Sequence, residues 1–164
     1  MILVAIDPGE DAGVAVFVGG RLVAARLVDG RTARGVVTHA DLVDVSGPAE
    51  VVVELPQAYT GGRSRAPIHD LVTLAYRAGR LAQAAEAALR PGVREVTTET
   101  VWPAQWKGSV DKRVVNARVA ALLNEAETAA VRAAAAGARA HNVLDAVGLG
   151  LWRLKRMSRG GTKP

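Results

Sequence analysis

Short apolar runs at the start of the chain predict strands that are joined by tight turns. Met1 to Ile6 is continuous, apolar and partly β-branched, which is typical of a buried central strand. Gly13 to Val18 predicts a second strand, Gly19-Gly20 a two-residue hairpin turn, and Arg21 to Val28 a third strand. The pattern therefore predicts an antiparallel meander of three strands.

The rest of the chain combines two further strands with helical spacing. Glu50 to Leu55 and Val93 to Val101 each predict a strand. Between them, apolar residues from Ile68 to Leu89 recur every three or four positions, which predicts a long helix. Asp111 is expected to cap a helix that runs through Leu123, and a last helix is expected from about His141 to Arg156.

The connecting segments complete the prediction. Thr32 to Ser46 is expected to form a short helix with three apolar side chains turned inward, and Trp102 to Gly108 a loop. Residues 59–65 (YTGGRSR) predict a glycine-rich basic loop. In this order the elements predict one α/β domain over residues 1–157, with a mixed five-stranded sheet flanked by helices. Residues 158–164 predict a basic, disordered tail.

Composition narrows the chemistry that such a domain can perform. The 164 residues include 21 Lys and Arg against 16 Asp and Glu, a net charge of +5, which favours a polyanionic partner such as nucleic acid. Many mildly basic proteins nevertheless bind nothing anionic. Because there is no cysteine, a metal would be held by carboxylates and imidazole, which favours Mg²⁺ or Mn²⁺. The absence of a long apolar segment and of a signal peptide predicts a cytoplasmic protein without membrane contact.

Three acids in this pattern stand where a metal site could form. Asp7 and Glu54 each follow a buried strand, at an end that water and cations can reach. A turn-forming aspartate and a solvated glutamate at the sheet rim would explain each of them alone. Asp145 lies in the last helix, with His141 and Asn142 on roughly the same face. If that face packs near the strand ends, the three carboxylates converge, and divalent cations would relieve their repulsion.

The IDPG opening followed by Gly13, the strand-end Glu54 and the late D-A-V-G-L-G-L helix resemble RuvC-type Holliday-junction resolvases, which have the ribonuclease-H-like fold. The resemblance covers nearly the whole chain in element order. It implies a structure-specific endodeoxyribonuclease that resolves four-way DNA junctions by paired symmetric nicks. It also implies two Mg²⁺ or Mn²⁺ ions per active site and no small-molecule cofactor. Asp7 would bridge the two metals, Glu54 would bind one of them, and Asp145 would hold the other.

One position departs from the pattern of that family. The family often has a fourth acid, or a histidine, three residues before the last aspartate, where this chain has Asn142. Asn142 is favoured as the equivalent position and would be a weaker, neutral metal ligand. Alternatively, His141 supplies the fourth catalytic function, or Asn142 replaces an aspartate and weakens catalysis.

The resemblance also implies DNA contacts and a dimer. Basic side chains after the fifth strand and in the glycine-rich loop are expected to bind phosphate, and the loop tyrosine to stack on an unpaired base. These residues are Lys107, Lys112, Arg113, Arg63, Arg65 and Tyr59. A solvated basic face and ordinary loop packing are the alternatives. Trp102 and Trp106 are expected to pack rather than to stack on bases. The long helix would pair with its two-fold mate in a homodimer, which suits the two nicks of a four-way junction.

Other functions remain open on the sequence alone. A related nuclease could act on structured RNA or on replication forks. A junction-binding protein without catalysis is a second possibility, for which Asn142 is the motivating residue. An actin-like ATPase also begins with an apolar strand, an acid and glycines, but that fold needs two domains and a much longer chain.

Overall fold

The computed structural model describes residues 1–42, 47–57, 67–134 and 140–157. Its five strands form one mixed sheet in the order β3-β2-β1-β4-β5. The pairs β1–β2 and β2–β3 are antiparallel, whereas β1–β4 and β4–β5 are parallel. The strands are β1 (Ile2–Asp7), β2 (Asp11–Val18), β3 (Arg21–Asp29), β4 (Ala49–Glu54) and β5 (Val96–Val101). The predicted mixed five-stranded sheet is confirmed.

Helices cover both faces of the sheet. Those in the described ranges are α1 (Ile68–Leu89), α2 (Pro103–Trp106), α3 (Lys112–Leu122), α4 (Glu125–Ala134) and α5 (Ala140–Arg153). Helix α1 packs on one face, and α5, with α3 and α4, on the other. Because successive side chains of a strand point to opposite faces, Ile2, Val4 and Ile6 join the α1 side of the core while Leu3 and Ala5 join the α5 side. No helix in the described ranges is long and apolar enough to cross a membrane.

The helix predicted over Thr32 to Ser46 is wrong in its described part, residues 32–42. Turns occupy most of that part, and a 3₁₀ turn spans only His39–Leu42. Gly35 has a φ of 74°, which a right-handed helix does not allow. The Asp41 carboxylate accepts hydrogen bonds from the Thr38 backbone N–H and hydroxyl, which stabilise a local turn instead.

The segment after β5 also differs from its prediction. The predicted loop from Trp102 to Gly108 contains the one-turn helix α2. Pro103 occupies its first position, where a missing N–H costs nothing, and Gln105 Oε1 accepts a hydrogen bond from the Trp102 N–H at 2.6 Å. Strand β5 begins at Val96 rather than at Val93.

Glycines allow α5 to lie unusually close to the sheet. A Cβ added at Gly13 of β2 would lie 1.9 Å from the carbonyl oxygen of Asn142. A Cβ added at Gly150 would lie 2.2 Å from Cε2 of Phe17. Both distances are far below van der Waals contact, so larger residues at these positions would force the helix away. The close contact fixes the height of α5 above β1 and β2.

A charged side chain fixes the other end of α5. The Arg153 guanidinium donates to Glu50 of β4 at 2.6 Å and lies 2.7 Å from the Glu99 carboxylate of β5. The helix is therefore tied to β4 and β5, which lie beside each other in the sheet. This anchoring determines where the side chains of α5 project.

Candidate active site

The three predicted carboxylates meet at one edge of the sheet. Asp7 ends β1 and Glu54 ends β4. Because these neighbouring strands are parallel, their carboxyl ends lie at the same edge. Asp145 lies in α5, the helix that packs against β1 and β2, and is 4% exposed. The charges of Glu54 and Asp145 both act on Asp7, so the three side chains form one electrostatic cluster.

Asp7 is the least stabilised charge of this cluster. Burial raises the pKa of Asp7 well above its usual value, and the carboxylates of Glu54 and Asp145 raise it further. The ammonium groups of Lys107 and Lys112 lower it, but they do not outweigh the other effects. No hydrogen bond from the described part of the chain supports the Asp7 carboxylate. A carboxyl group with such a raised pKa in a shared site is typical of functional positions.

Glu54 accepts from two consecutive residues. The indole Nε1–H of Trp106 donates to Oε2 at 2.6 Å. The Lys107 ammonium lies 3.1 Å from Oε1 and 3.0 Å from Oε2, and also 4.8 Å from the centre of the Trp106 ring. Burial lowers the pKa of Lys107, but Glu54, Asp145 and Asp7 outweigh this effect and raise it above the usual value.

Asp145 has a cationic partner of its own. The Lys112 ammonium, at the start of α3, lies 2.9 Å from Asp145 Oδ2. Two ammonium groups therefore face three carboxylates, and one negative charge remains unbalanced when all five groups are ionised. The predicted DNA-binding residues Lys107 and Lys112 thus belong to the carboxylate cluster.

Arg113 lies apart from that cluster. Its side chain is 94% exposed and pairs with Asp111 at 3.4 Å. Asp111 caps α3, as predicted, because its carboxylate accepts from the Arg113 backbone N–H at 2.8 Å. Tyr59, Arg63 and Arg65, the predicted DNA contacts of the glycine-rich loop, lie outside the described residues.

The two candidates for the fourth active-site function project differently. Asn142 Nδ2 donates a hydrogen bond to the backbone carbonyl of Asp11 at 2.6 Å, which links α5 to the start of β2. The His141 side chain is exposed. Within the described ranges, no three acidic or histidine side chains are arranged closely enough to hold a metal ion as they stand. Glu54 and Asp145 are instead each paired with a lysine, Lys107 and Lys112 respectively.

The sequence did not predict Trp106 as a partner of Glu54. It was expected to pack, and it does, with 0% exposure, but its N–H is also bound to a site carboxylate. The signal was present in the sequence: a tryptophan and a lysine follow the strand that pairs with the Glu54 strand. A buried indole N–H requires an acceptor, and a strand-end carboxylate is one of few near it.

The architecture is the ribonuclease-H-like fold, a mixed five-stranded sheet flanked by helices. RuvC from Thermus thermophilus, solved in complex with Holliday junction substrate, is similar to this chain with a TM-score of 0.54 and 21% identity. The similarity covers 92% of this chain and 90% of that one. A second Thermus thermophilus RuvC structure has a TM-score of 0.46 at 21% identity, over 94% of this chain and 97% of the other.

No known protein family and no curated protein matches this chain in sequence. The structural similarity to RuvC confirms the predicted resemblance for the fold.

Proposed function

We propose that this protein is a metal-dependent endonuclease that cuts four-way DNA junctions, as the resemblance to RuvC-type resolvases implies. The carboxylate of Asp7 carries the proposal, because it is largely buried, lacks a hydrogen bond from the described residues and is acted on by the charges of two other acids. The neighbour that was solved with Holliday junction substrate supports the substrate class.

The residues of the cluster fit hard cations by their chemistry. Carboxylate oxygens are the donors that Mg²⁺ and Mn²⁺ prefer. The pKa of Asp7 is raised first by burial and then by Glu54 and Asp145, and a bound cation would relieve both effects. Asp7, Glu54 and Asp145 would hold the ions. Such ions, when bound, supply an activated water and stabilise the charge on the phosphate that is cut.

Lys107 and Lys112 have a second role in this proposal. Each ammonium now faces a carboxylate, at 3.0 Å from Glu54 and 2.9 Å from Asp145. Lys107 and Lys112 have flexible side chains at the edge of the sheet that carries the carboxylates, so they would also bind the phosphates of DNA placed there. Arg113 and the loop residues Tyr59, Arg63 and Arg65 would extend the DNA contact.

The fourth active-site function is assigned to Asn142, with His141 as the alternative. The Nδ2 atom of Asn142 is bound to Asp11, so only its Oδ1 atom is suited to bind a cation. His141 is exposed and would act through solvent or substrate. Separate Asn142→Ala and His141→Ala variants distinguish the two, because only the residue with that role should reduce cleavage without reducing junction binding.

The decisive experiment compares Asp7→Asn with the wild type on a synthetic four-way DNA junction, with and without Mn²⁺. We expect the wild type to make paired symmetric nicks only with the metal, and Asp7→Asn to bind the junction without cutting it. Asp29→Asn is the matched control, because Asp29 also ends a strand but is exposed and bonded to the Arg31 N–H at 2.8 Å. Wild-type cutting rates in the Asp7 variant would contradict the proposal.

Junction affinity should fall steeply with salt.

A junction-binding protein without catalysis is the second candidate. Asn142 supports it, since an amide stands where the related pattern often has an acid or a histidine. If the wild type binds junctions but does not cut them with Mg²⁺ or Mn²⁺, and Asn142→Asp does not cut them either, binding alone is the better account. Structured RNA and replication forks, assayed beside the DNA junction, test the remaining substrate alternatives.

A further inference from the structure

Trp106 connects the elements that carry two of the site carboxylates. Its indole is fully buried, and Nε1–H donates to Glu54 Oε2 at 2.6 Å. Helix α2 holds this side chain in place, since Pro103 begins the helix and its carbonyl accepts from the N–H of Lys107 at 3.0 Å. The hydrogen bond therefore joins a rigid donor to the end of β4.

The other edge of the same ring faces α5. A Cβ added at Gly148 would lie 3.0 Å from Cζ3 and 3.3 Å from Cη2 of Trp106, so the ring packs against bare helix backbone. Gly148 follows Asp145 by one helical turn. The indole thus spans the space between the strand end that carries Glu54 and the helix that carries Asp145.

We infer that Trp106 is a positioning residue for the metal site: its N–H orients the Glu54 carboxylate, and its ring sets the distance of α5 from that carboxylate. The inference rests on the proposed function, in which Glu54 and Asp145 bind metal. An indole donates one hydrogen bond, accepts none and carries no charge. It therefore fixes a carboxylate without competing electrostatically with a cation, whereas Lys107 faces both oxygens as a charged competitor.

The hydrogen bond leaves the carboxylate able to bind a cation. Each carboxylate oxygen has two lone-pair positions, so Oε2 can accept from Trp106 and still face a metal. Partners of this kind fix the orientation of a ligand, and their loss typically reduces metal affinity by about 10- to 100-fold.

The test is the Mn²⁺ affinity of Trp106→Phe, measured by titration calorimetry. Phenylalanine keeps an aromatic ring in the core but removes the N–H. We expect affinity to fall by about 10-fold or more, in a protein whose circular dichroism shows the wild-type fold. Trp102→Phe is the matched control, because Trp102 lies four positions earlier, is 44% exposed and should leave Mn²⁺ affinity unchanged.

A second measurement needs no variant. The chain has three tryptophans, so its nitrogen–proton spectrum contains three indole signals. On titration with Mg²⁺, we expect the Trp106 indole signal to move, because its acceptor Glu54 gains a cation. A Trp106 signal that stays fixed while other signals report Mg²⁺ binding would overturn the inference.

The outcomes separate this inference from the proposed function. Unchanged Mn²⁺ affinity in Trp106→Phe, beside a wild type that binds the ion, overturns the positioning role and leaves the metal site in place. A wild type that binds neither Mn²⁺ nor Mg²⁺ overturns the proposed metal site, and the role of Trp106 with it.

Discussion

At the scale of a single residue, Asp7 is proposed to serve metal binding at a cost to the stability of the fold. Its ionised form is disfavoured by burial and by two neighbouring carboxylates, and no hydrogen bond from the described residues compensates. A buried charge without partners destabilises a fold unless its pKa shifts or a cation binds. The position therefore suits a metal ligand better than a structural role.

We expect Asp7→Asn to raise the melting temperature at pH 7 in the presence of EDTA, by a few degrees. The folded-state pKa of Asp7 lies above its unfolded value of 3.8, so ionisation destabilises the folded state at every pH above the folded pKa. That penalty disappears as the pH falls through the folded pKa towards 3.8. The difference between the two proteins, followed by thermal melts, should therefore shrink on acidification.

Asp29→Asn is expected to change the melting temperature in the opposite direction. The backbone N–H of Arg31 lowers the pKa of Asp29, so this carboxylate favours the fold when ionised. Its replacement should leave the melting temperature at pH 7 unchanged or slightly lower. A melting temperature for Asp7→Asn below that of the wild type at pH 7 would refute the account of Asp7.

At the scale of elements, the apolar pattern predicted most of the fold. Strand β1 and helix α1 were predictable because each is long, periodic and buried in a simple way. The short elements were not. Helix α2 depends on a proline and one side-chain hydrogen bond, and the turn before residue 42 depends on the positive φ of Gly35. Single contacts of this kind leave no periodic signal in a sequence.

The site was also predictable only in part: the strand-end acids could be identified, but their partners could not. Strand ends revealed Asp7 and Glu54 because parallel neighbours share an edge. The partners of these acids depend on which way side chains turn after the chain has folded. Neither the indole donor of Trp106 nor the pairing of Lys112 with Asp145 follows from spacing.

The close packing of α5 on β2 gives a prediction at the element scale. Gly13→Ala would place a Cβ 1.9 Å from the Asn142 carbonyl oxygen, so the helix must move. Overpacking of this kind typically costs about 1–3 kcal/mol, and contact with backbone favours the upper end. Urea denaturation should show that loss in the free energy of unfolding.

Gly92→Ala is the control for this change. A Cβ there would meet its nearest atom, the Leu89 carbonyl oxygen, at 3.8 Å, which is ordinary contact. Its free energy of unfolding should stay within about 0.5 kcal/mol of the wild type. Equal stabilities of the two alanine variants would show that α5 does not depend on Gly13.

At the scale of the whole molecule, we propose that α1 pairs with its mate in a homodimer. Ile68, Val72 and Tyr76 recur every four residues along it and are 74%, 63% and 65% exposed. Gly79 continues this stripe, and a Cβ there would meet nothing within 4 Å. An exposed apolar stripe that ends in a small residue suits close packing of two helices.

Sedimentation tests the dimer directly. The wild type should sediment as a dimer at micromolar concentration, and Tyr76→Arg as a monomer, because two arginines would meet across the two-fold axis. Val23→Arg, which replaces an apolar residue of β3 that is 48% exposed, should leave the dimer intact. A wild type that stays monomeric at every concentration would exclude this arrangement, and paired nicks by one dimer with it.

The hydrogen bond from Asn142 to Asp11 also has a consequence for how the chain folds. It joins residues 131 positions apart, whereas the β1–β2–β3 hairpins pair within neighbouring sequence. Local pairs form early, and contacts over long sequence separation form slowly, because loop closure must precede them. On the ribosome, the strand that carries Asp7 is made long before the helix that carries Asp145. A nascent chain of this proposed nuclease would therefore stay inactive until its last catalytic helix emerges.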